Sequence, residues 1–260
     1  MSGVVGVDRT AFDAIVAEQQ KHTTSNEGAS ISNARDEIFK LGAVVGQMCS
    51  LFITVPHDST ESKERPSIDD DPFWLEDSDK KVEVANQMAK VFLQLFATAS
   101  ICSIDLCTSI LKKIELNGRK YPVELCKGKS GKYTEYSAQT GITTTEGQST
   151  IDSPTKSSTN EIEDTTSVEG ITYIIRHFAN ERLWNRFHTP RNIALALLGE
   201  VGELAEIFQW KFDEGKIDLS EEVLDKVGQE IADVAIYLIR LADVSHVELG
   251  KVTMQLLKRT

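Results

Sequence analysis

The chain has 260 residues, of which 40% are hydrophobic, and a formal net charge of −12. This length exceeds one typical domain, so two domains of roughly 100–150 residues are expected. Because phosphate polymers and anionic bilayers repel an acidic surface, the charge argues against polymeric nucleic acid and a membrane as partners. A small polyanion remains compatible with this charge, provided that a cation neutralises it locally.

The first half predicts four helices, because its apolar residues recur at helical spacing and β-branched alternation is scarce. These helices are expected at about 8–22, 35–54, 79–100 and 103–116. The polar stretch 55–80 separates two of them and predicts a long loop, with Phe73 and Trp74 pinning it to the fold. The most apolar run, 88–104, contains Lys90 and predicts a buried helix instead of a membrane span.

Residues 137–167 are rich in Ser, Thr, Gly and acidic side chains, with little to bury, and this composition predicts a flexible linker. Four more helices follow it, at about 168–183, 190–212, 220–244 and 246–258. The capping sequence "DLSEEV" (Asp218–Val223) marks the start of the third. The chain is therefore predicted to be all-α.

Two further features predict a cytoplasmic (cytosolic) protein. The chain does not open on a basic segment followed by an apolar run, so no secretory signal is expected. Its cysteines lack metal-ligand spacing and are expected to be reduced thiols, at Cys49, Cys102, Cys107 and Cys126.

The two halves resemble each other. "RDEIFKLGAVVGQMCSLF" (35–52) aligns with "RNIALALLGEVGELAEIF" (191–208), which matches Gly46 with Gly202. Further on, "ASICSIDL" (99–106) aligns with "ADVSHVEL" (242–249). This pattern predicts a degenerate tandem duplication with about four helices in each copy.

The second half carries an unusual set of acidic residues. Glu200, Glu203 and Glu206 follow one edge of a predicted helix, and Glu230 and Asp233 repeat the spacing on a later one. In both helices an apolar sector adjoins the acidic edge. If those sectors pack together, four carboxylates meet at one seam, namely Glu200, Glu203, Glu230 and Asp233.

Four carboxylates at a partly buried seam are costly unless a cation lies between them. Ligands that are all oxygen favour a hard ion such as Mg²⁺, which also holds phosphates. The alternative is a solvated acidic face, the usual reading of a lone E-x-x-E. Two such motifs with matched apolar flanks favour the metal site.

These residues also carry a family resemblance. "FANERLWNRFHTPRNIALALLGEVGELAEIFQW" (178–210), followed by "EIADVAIYL" (230–238), resembles the dCTP pyrophosphatase branch of the MazG-like, all-α NTP pyrophosphatases. The resemblance is strong over 170–258 and weak over 8–136. It implies two four-helix units packed as a pseudo-dimer: a degenerate, non-catalytic domain at 8–136 and a catalytic domain at 168–260.

The resemblance implies Mg²⁺-dependent cleavage of dCTP, and of modified analogues, to the monophosphate and pyrophosphate, as nucleotide-pool housecleaning. Carried over by position, the metal ligands are Glu200, Glu203, Glu230 and Asp233. Glu203 and Glu206 are the candidate catalytic residues, with Glu206 aligning or deprotonating the attacking water. The substrate-binding candidates are Trp184, Asn185, Arg186, Phe187, His188, Trp210 and Tyr237. From the sequence alone, Trp210 and Tyr237 could equally be core residues and His188 a capping residue.

The chain departs from the family pattern in both halves. Ile175 stands where relatives often place a histidine, and the second half stops before a counterpart of "NGRKYP" (117–122). In the first half the ligand positions hold Val44, Gln47, Gln87 and Lys90, with Ser50 in place of Glu206 and Gly28 and Ser32 in place of Trp184 and His188. The first half is therefore expected to bind no Mg²⁺.

These complementary defects suggest that the basic tail of the first half lies near the acidic site of the second. The residues of this hypothesis are Arg119, Lys120, Lys127 and Lys132. The alternative is that the tail wraps its own domain. Arg119, Lys120 and Arg191 are candidate phosphate contacts, although Arg191 could instead pair with the carboxylates.

Two other functions remain open at this point. One keeps the chemistry and changes the base, for example to dUTP. The other is a catalytically weak nucleotide sensor or oligomer scaffold. By the symmetry of the family, the expected assembly is a homo-oligomer, a dimer of pseudo-dimers.

Overall fold

A computed structural model describes residues 31–53, 77–129, 166–210 and 220–259. These residues form eight helices and no strand, which confirms the all-α prediction. The helices are α1 (Ile31–Ser50), α2 (Ser78–Ile101), α3 (Leu106–Lys120), α4 (Val123–Cys126), α5 (Val168–Glu181), α6 (Pro190–Gln209), α7 (Glu221–Val244) and α8 (Leu249–Leu257). The expected helix 8–22, most of the 55–80 loop with Phe73 and Trp74, nearly all of the linker, Gly28 and Lys132 lie outside the described residues.

Capping side chains set several helix starts. Asp77 accepts backbone hydrogen bonds at the start of α2, and Thr189 accepts one from Asn192 ahead of Pro190 in α6. α3 begins three residues later than predicted, because Ser103 adopts a positive φ of 56° and Asp105 is the N-cap. The short helix α4 was not predicted from the sequence.

In each half, the helix that follows the central pair packs on the pair of the opposite half. α1 packs on α2 and α6 packs on α7, and the two pairs meet through α1–α6 and α2–α7 contacts. α3, from the first half, packs on α7 of the second, whereas α8, from the second half, packs on α2 of the first. Each helix pair is therefore covered by a helix from the opposite half.

One continuous hydrophobic core holds both halves together. Its fully buried side chains include Leu41 and Phe92 from the first half and Leu197 and Ile231 from the second. The apolar sectors predicted beside the acidic edges are the buried faces of α6 and α7. The seam between these two helices is thereby fixed by core packing.

The turns after α2 and α7 share their backbone geometry. Both helices have 24 residues, and each is followed by a residue with positive φ, 56° at Ser103 and 54° at His246. In the first turn Ile104 N–H donates to the Ala99 carbonyl at 2.9 Å, and the aligned Val247 N–H bond in the second is also 2.9 Å. The same turn ends α5, where Leu183 has a φ of 53°, so it is a general helix ending in this chain.

Within the described residues, no single helix combines the length and apolarity needed to cross a bilayer, although α2 and α3 meet that test jointly across a 98° bend. All four cysteines are free thiols, with Cys102 and Cys126 buried.

Phe92→Ala should lower the free energy of unfolding by about 3–5 kcal/mol, because Phe92 is fully buried in the shared core. Since that core spans both halves, circular dichroism and tryptophan fluorescence should report one shifted transition. Val82→Ala is the control, because Val82 lies on the same helix, is 59% exposed and should lose little stability on truncation. Two separate melting transitions would contradict a shared core.

Candidate functional site

The seam between α6 and α7 gathers three of the predicted metal ligands. Carboxylate oxygens of Glu200, Glu203 and Glu230 lie within 4.8 Å of one another. They come together because Leu197 and Leu204 on α6 are buried where α6 packs on α7. This packing places the acidic edges of the two helices side by side along the seam. Among the described residues, this is the group of acidic side chains whose spacing suits an ion.

Asp233, the fourth predicted ligand, lies beside this cluster and is paired with a lysine from the first half. Lys113 of α3 places its Nζ 2.6 Å from Asp233 Oδ2, and the two side chains are only 13% and 15% exposed. Asn117, one turn further along α3, also hydrogen-bonds Asp233. The positive charge of Lys120 also favours the ionised forms of Asp233 and Glu230, and it partly offsets the rise in their pKa that burial causes.

Crowding and burial make the acidic cluster reluctant to ionise. Burial, followed by the charges of Asp233, Glu203 and Glu230, raises the pKa of Glu200 to about 7. Burial likewise raises the pKa of Glu230 and of Asp233, against the opposing effect of Lys113. The cluster therefore favours a proton or a cation over bare negative charge.

Glu206 lies one turn beyond Glu203 on α6 and is exposed. It is not a member of the three-carboxylate group. This position leaves it open to solvent at the edge of the cluster, where a water molecule can reach it.

Aromatic side chains from both halves adjoin the acidic cluster. Tyr237 is largely buried on α7, and burial and the charge of Glu200 raise its pKa. The ring of Tyr121 lies 5.4 Å from that of Trp184, and the charges of Asp233 and Glu200 reach Tyr121 strongly enough to raise its pKa beyond the effect of burial. Tyr121 thus links the acidic cluster to the segment that follows α5.

The other predicted substrate residues lie in or near that segment. The ring of His188 is 5.9 Å from that of Trp184, and Asn185 is exposed but hydrogen-bonded to Asn180. The Arg186 guanidinium lies over the ring of Phe187, 4.6 Å from its centroid. Trp210, at the end of α6, is 84% exposed, so the structure does not bury it as a core residue.

The tail of the first half is fastened to the second half. Arg182, 4% exposed, donates from Nε to the Tyr121 carbonyl at 2.8 Å and lies over the Phe178 ring. The Gly128 N–H donates to the Arg182 carbonyl at 2.8 Å, and Arg186 donates to the Gly128 carbonyl. The tail of the first half therefore contacts the second half and does not pack only on its own domain.

The candidate phosphate contacts are distributed unevenly over this surface. Lys120 adjoins the acidic cluster, whereas Arg119 pairs with Glu115 on an exposed part of α3 at 2.5 Å. Arg191 is exposed near the start of α6, and Lys127 is exposed just after α4. Lys113, Asn117 and Tyr121 were not predicted as site residues, although they are the tail residues that approach the acidic cluster. Their location in the segment "KKIELNGRKYP" (112–122), similar to the family's C-terminal segment, was the available indication.

The donor set fits a hard divalent cation. Glu200, Glu203 and Glu230 offer only oxygen, the ligand that Mg²⁺ prefers, and Asp233 could join them once Lys113 is released. In the first half, Val44, Gln47 and Lys90 occupy the aligned positions and supply no carboxylate. Gln87 there has a buried side-chain oxygen without a hydrogen-bond partner.

Comparison with known proteins agrees with the resemblance seen in the motifs. The chain is 45% identical over 87 residues to dCTP pyrophosphatase 1 of Rattus norvegicus, which covers 33% of this chain and 51% of the relative. It is 44% identical over 90 residues to the Bos taurus protein of that name (34% and 53%) and 47% identical over 85 residues to the Homo sapiens one (32% and 50%). The chain thus spans about half the length of the curated relatives it matches. No family model matches the chain.

In the absence of metal, stability should fall as the pH rises from about 5 to about 8. The pKa of Glu200 is raised to about 7 in the folded protein, so the folded state holds a proton that the unfolded state has already lost. The loss attributable to Glu200 should be on the order of 2 kcal/mol. Thermal melts of the wild type and of Glu200→Gln in a chelator measure it, because the variant should show a flatter dependence. Equal slopes for the two proteins would contradict the prediction.

Lys113→Met should destabilise the metal-free protein by about 2 kcal/mol, because it leaves Asp233 partly buried without its cation. Added Mg²⁺ should recover much of that loss, since an ion can replace the missing charge. The matched control is Lys112→Met, which removes the neighbouring lysine and its exposed pair with Asp225. Thermal melts with chelator and with Mg²⁺ distinguish the two variants, and equal behaviour would rule out a special role for Lys113.

Proposed function

We propose that the chain is a Mg²⁺-dependent nucleoside triphosphate pyrophosphohydrolase that converts dCTP, and modified dCTP analogues, to the monophosphate and pyrophosphate. The observation that carries this proposal is the cluster of Glu200, Glu203 and Glu230, with Lys113 of the other half reaching its edge. The similarity to proteins named dCTP pyrophosphatase 1 supports the substrate and the reaction.

In this proposal Glu200, Glu203, Glu230 and Asp233 hold the metal. When bound, Mg²⁺ would neutralise the phosphate oxygens and make a bound water more acidic. Burial at the seam strengthens that interaction, because few water molecules screen Glu200 and Asp233. The apolar faces of α6 and α7 keep the carboxylates in place whether or not an ion is present.

The phosphates of the substrate would replace Asp233 as the partner of the Lys113 ammonium group. Lys113 can release Asp233 and pair with a phosphate, since both partners are anionic and the lysine stem is flexible. Asn117 and Lys120 lie on the same side of α3 and can add a neutral donor and a second positive charge. Glu206, exposed next to the cluster, is the proposed residue that orients the attacking water.

The nucleoside would lie beside the aromatic side chains. Trp184 and Tyr121 form an edge-to-face pair, and Tyr237 adjoins both Tyr121 and the carboxylates. Aromatic faces of this kind bind a base by stacking, without selecting its identity. Trp210, exposed at the end of α6, offers a further ring surface.

The domain assignment follows from this division of residues. Residues 168–260 would be the catalytic domain, 8–136 the degenerate one, and 137–167 the linker between them. The aligned sequences and the equal lengths of α2 and α7 support an internal duplication. The exchange of α3 and α8 supports a pseudo-dimer with one composite site. We further propose a cytosolic homo-oligomer, for which exposed Phe39, Leu195 and Leu198 offer apolar surface.

Incubation of the full chain with a panel of deoxynucleoside triphosphates and Mg²⁺ tests the activity, with monophosphate and pyrophosphate as the measured products. dCTP should give the highest kcat/KM, and Glu230→Gln should reduce turnover by about 100-fold or more, because one ligand carboxylate is lost. Glu222→Gln is the control: Glu222 lies on the same helix as Glu230, is 78% exposed and pairs with the exposed Lys226. Preference for dUTP would reassign the base. Nucleotide binding without turnover would instead support the sensor function.

A further inference from the structure

A buried arginine on α7 holds the segment that contains Trp184 and His188. The Arg240 side chain is 5% exposed, and each nitrogen of its guanidinium has a partner. Nε donates to His188 Nδ1 at 3.1 Å, Nη2 to Asn185 Oδ1 at 2.7 Å, and Nη1 to Asp243 Oδ2 at 2.5 Å. One side chain thus connects two predicted substrate residues to a rigid helix.

Asp243 balances the buried charge. It lies one turn after Arg240 on the same helix and its side chain is 7% exposed. Arg176 of α5 also donates to Asp243, with its Nε 3.0 Å from Oδ1. The carboxylate is therefore held from both sides, which fixes the direction in which the Arg240 guanidinium points.

The contact with Arg240 determines the protonation of His188. A guanidinium has only N–H donors, so Nδ1 of His188 must accept through its lone pair. The ring is then neutral and carries its proton on Nε2. Burial and the Arg240 charge agree with this assignment, since they lower the pKa of His188 to about 4. At neutral pH His188 is a hydrogen-bond donor with one defined N–H.

The fold itself does not require these buried charges. In the alignment of α7 with α2, Ala97 stands in place of Arg240 and Ser100 in place of Asp243. α2 has the same length as α7 and ends in the same kind of turn without them. Burying an arginine and an aspartate is costly, and a well-packed apolar pair often does as well or better for stability. The network occurs in the half that carries the acidic cluster, which favours a role in the site.

We propose that Arg240 is a positioning residue for base recognition: it fixes His188 as the Nε2–H donor and holds the Trp184–His188 segment against α7. This inference rests on the proposed function. A fixed donor complements an acceptor on the base. Cytosine and uracil share the O2 acceptor, but N3 is an acceptor in cytosine and a donor in uracil, so a donor that meets N3 distinguishes the two bases.

The first test is spectroscopic and needs no turnover. ¹⁵N NMR of the imidazole nitrogens should show His188 as the neutral Nε2–H tautomer in the wild type. In Arg240→Met the preference should weaken towards that of a free imidazole, in which Nε2–H is already the major form, and the ring should take up its second proton at a higher pH. Arg176→Met is the control, because it removes a cation from Asp243 and leaves the Arg240–His188 hydrogen bond in place. A wild-type spectrum with the proton on Nδ1, or a tautomer population and a titration that are both unchanged in Arg240→Met, would overturn the inference.

The second test is kinetic. Arg240→Met should raise KM for dCTP by about 10-fold and reduce the preference for dCTP over dUTP, with kcat changed less than about 3-fold. Arg240→Lys keeps a charge opposite Asp243 but lacks the planar fork, so it should preserve the melting temperature and still show the KM effect. If KM instead changes in parallel with the melting temperature across these variants, Arg240 has only a structural role.

The two tests separate this inference from the proposed function. If the wild type cleaves no nucleotide, the proposed function fails and the recognition role fails with it, while the NMR result still decides whether Arg240 fixes the tautomer. If dCTP is cleaved and Arg240→Met, folded as judged by circular dichroism, retains its KM and base preference, only the inference about Arg240 is overturned.

Discussion

Repulsion between carboxylates that core packing forces together is the constraint on which the rest of this molecule depends. Packing of the apolar faces of α6 and α7 brings the carboxylates of Glu200, Glu203 and Glu230 close together at the seam between these helices. Their negative charges can be relieved in three ways: by a proton, as the raised pKa of Glu200 indicates, by an ion, or by a lysine from elsewhere in the chain. The structure uses the third way for Asp233, which pairs with Lys113. A site balanced in this manner is prepared for exchange, since a metal ion and a phosphate together can replace the carboxylate–lysine pair.

The source of that lysine explains why the two halves belong together. α3 follows α2 in the chain but packs on α7, so the first half contributes Lys113 and Asn117 to carboxylates of the second. Arg182 and Gly128 then fasten the following segment across the same boundary. In a symmetric pair of identical units this exchange would build two equal sites. Here the carboxylates lie in the second half and Lys113 and Asn117 in the first, so the contact between α3 and α7 brings site residues of both halves to a single location.

Local sequence patterns predicted the helices and the acidic cluster, but they did not predict the side chains whose partners lie far away in the chain. Helical periodicity predicted the bounds of α2 and α7 closely and brought Glu200, Glu203 and Glu230 to one seam, because the side chains of a helix keep fixed directions. The start of α3 was misplaced, because Ser103 adopts a positive φ that periodicity does not encode. Lys113 and Arg240 were missed as contributors because their roles depend on partners far away in the chain. An isolated lysine or arginine on a helix gives no indication of which carboxylate or imidazole it will meet.

The two helix pairs differ in electrostatic cost although they share one core. The first pair carries Val44, Gln47 and Lys90 at the positions aligned with the carboxylates, so it has no comparable repulsion. The second half keeps the strained cluster and depends on its neighbour for the opposing charge. Separation of the halves would expose core surface and leave Asp233 without Lys113. The first half therefore supplies both the packing and the positive charge that offset the electrostatic cost of the acidic cluster.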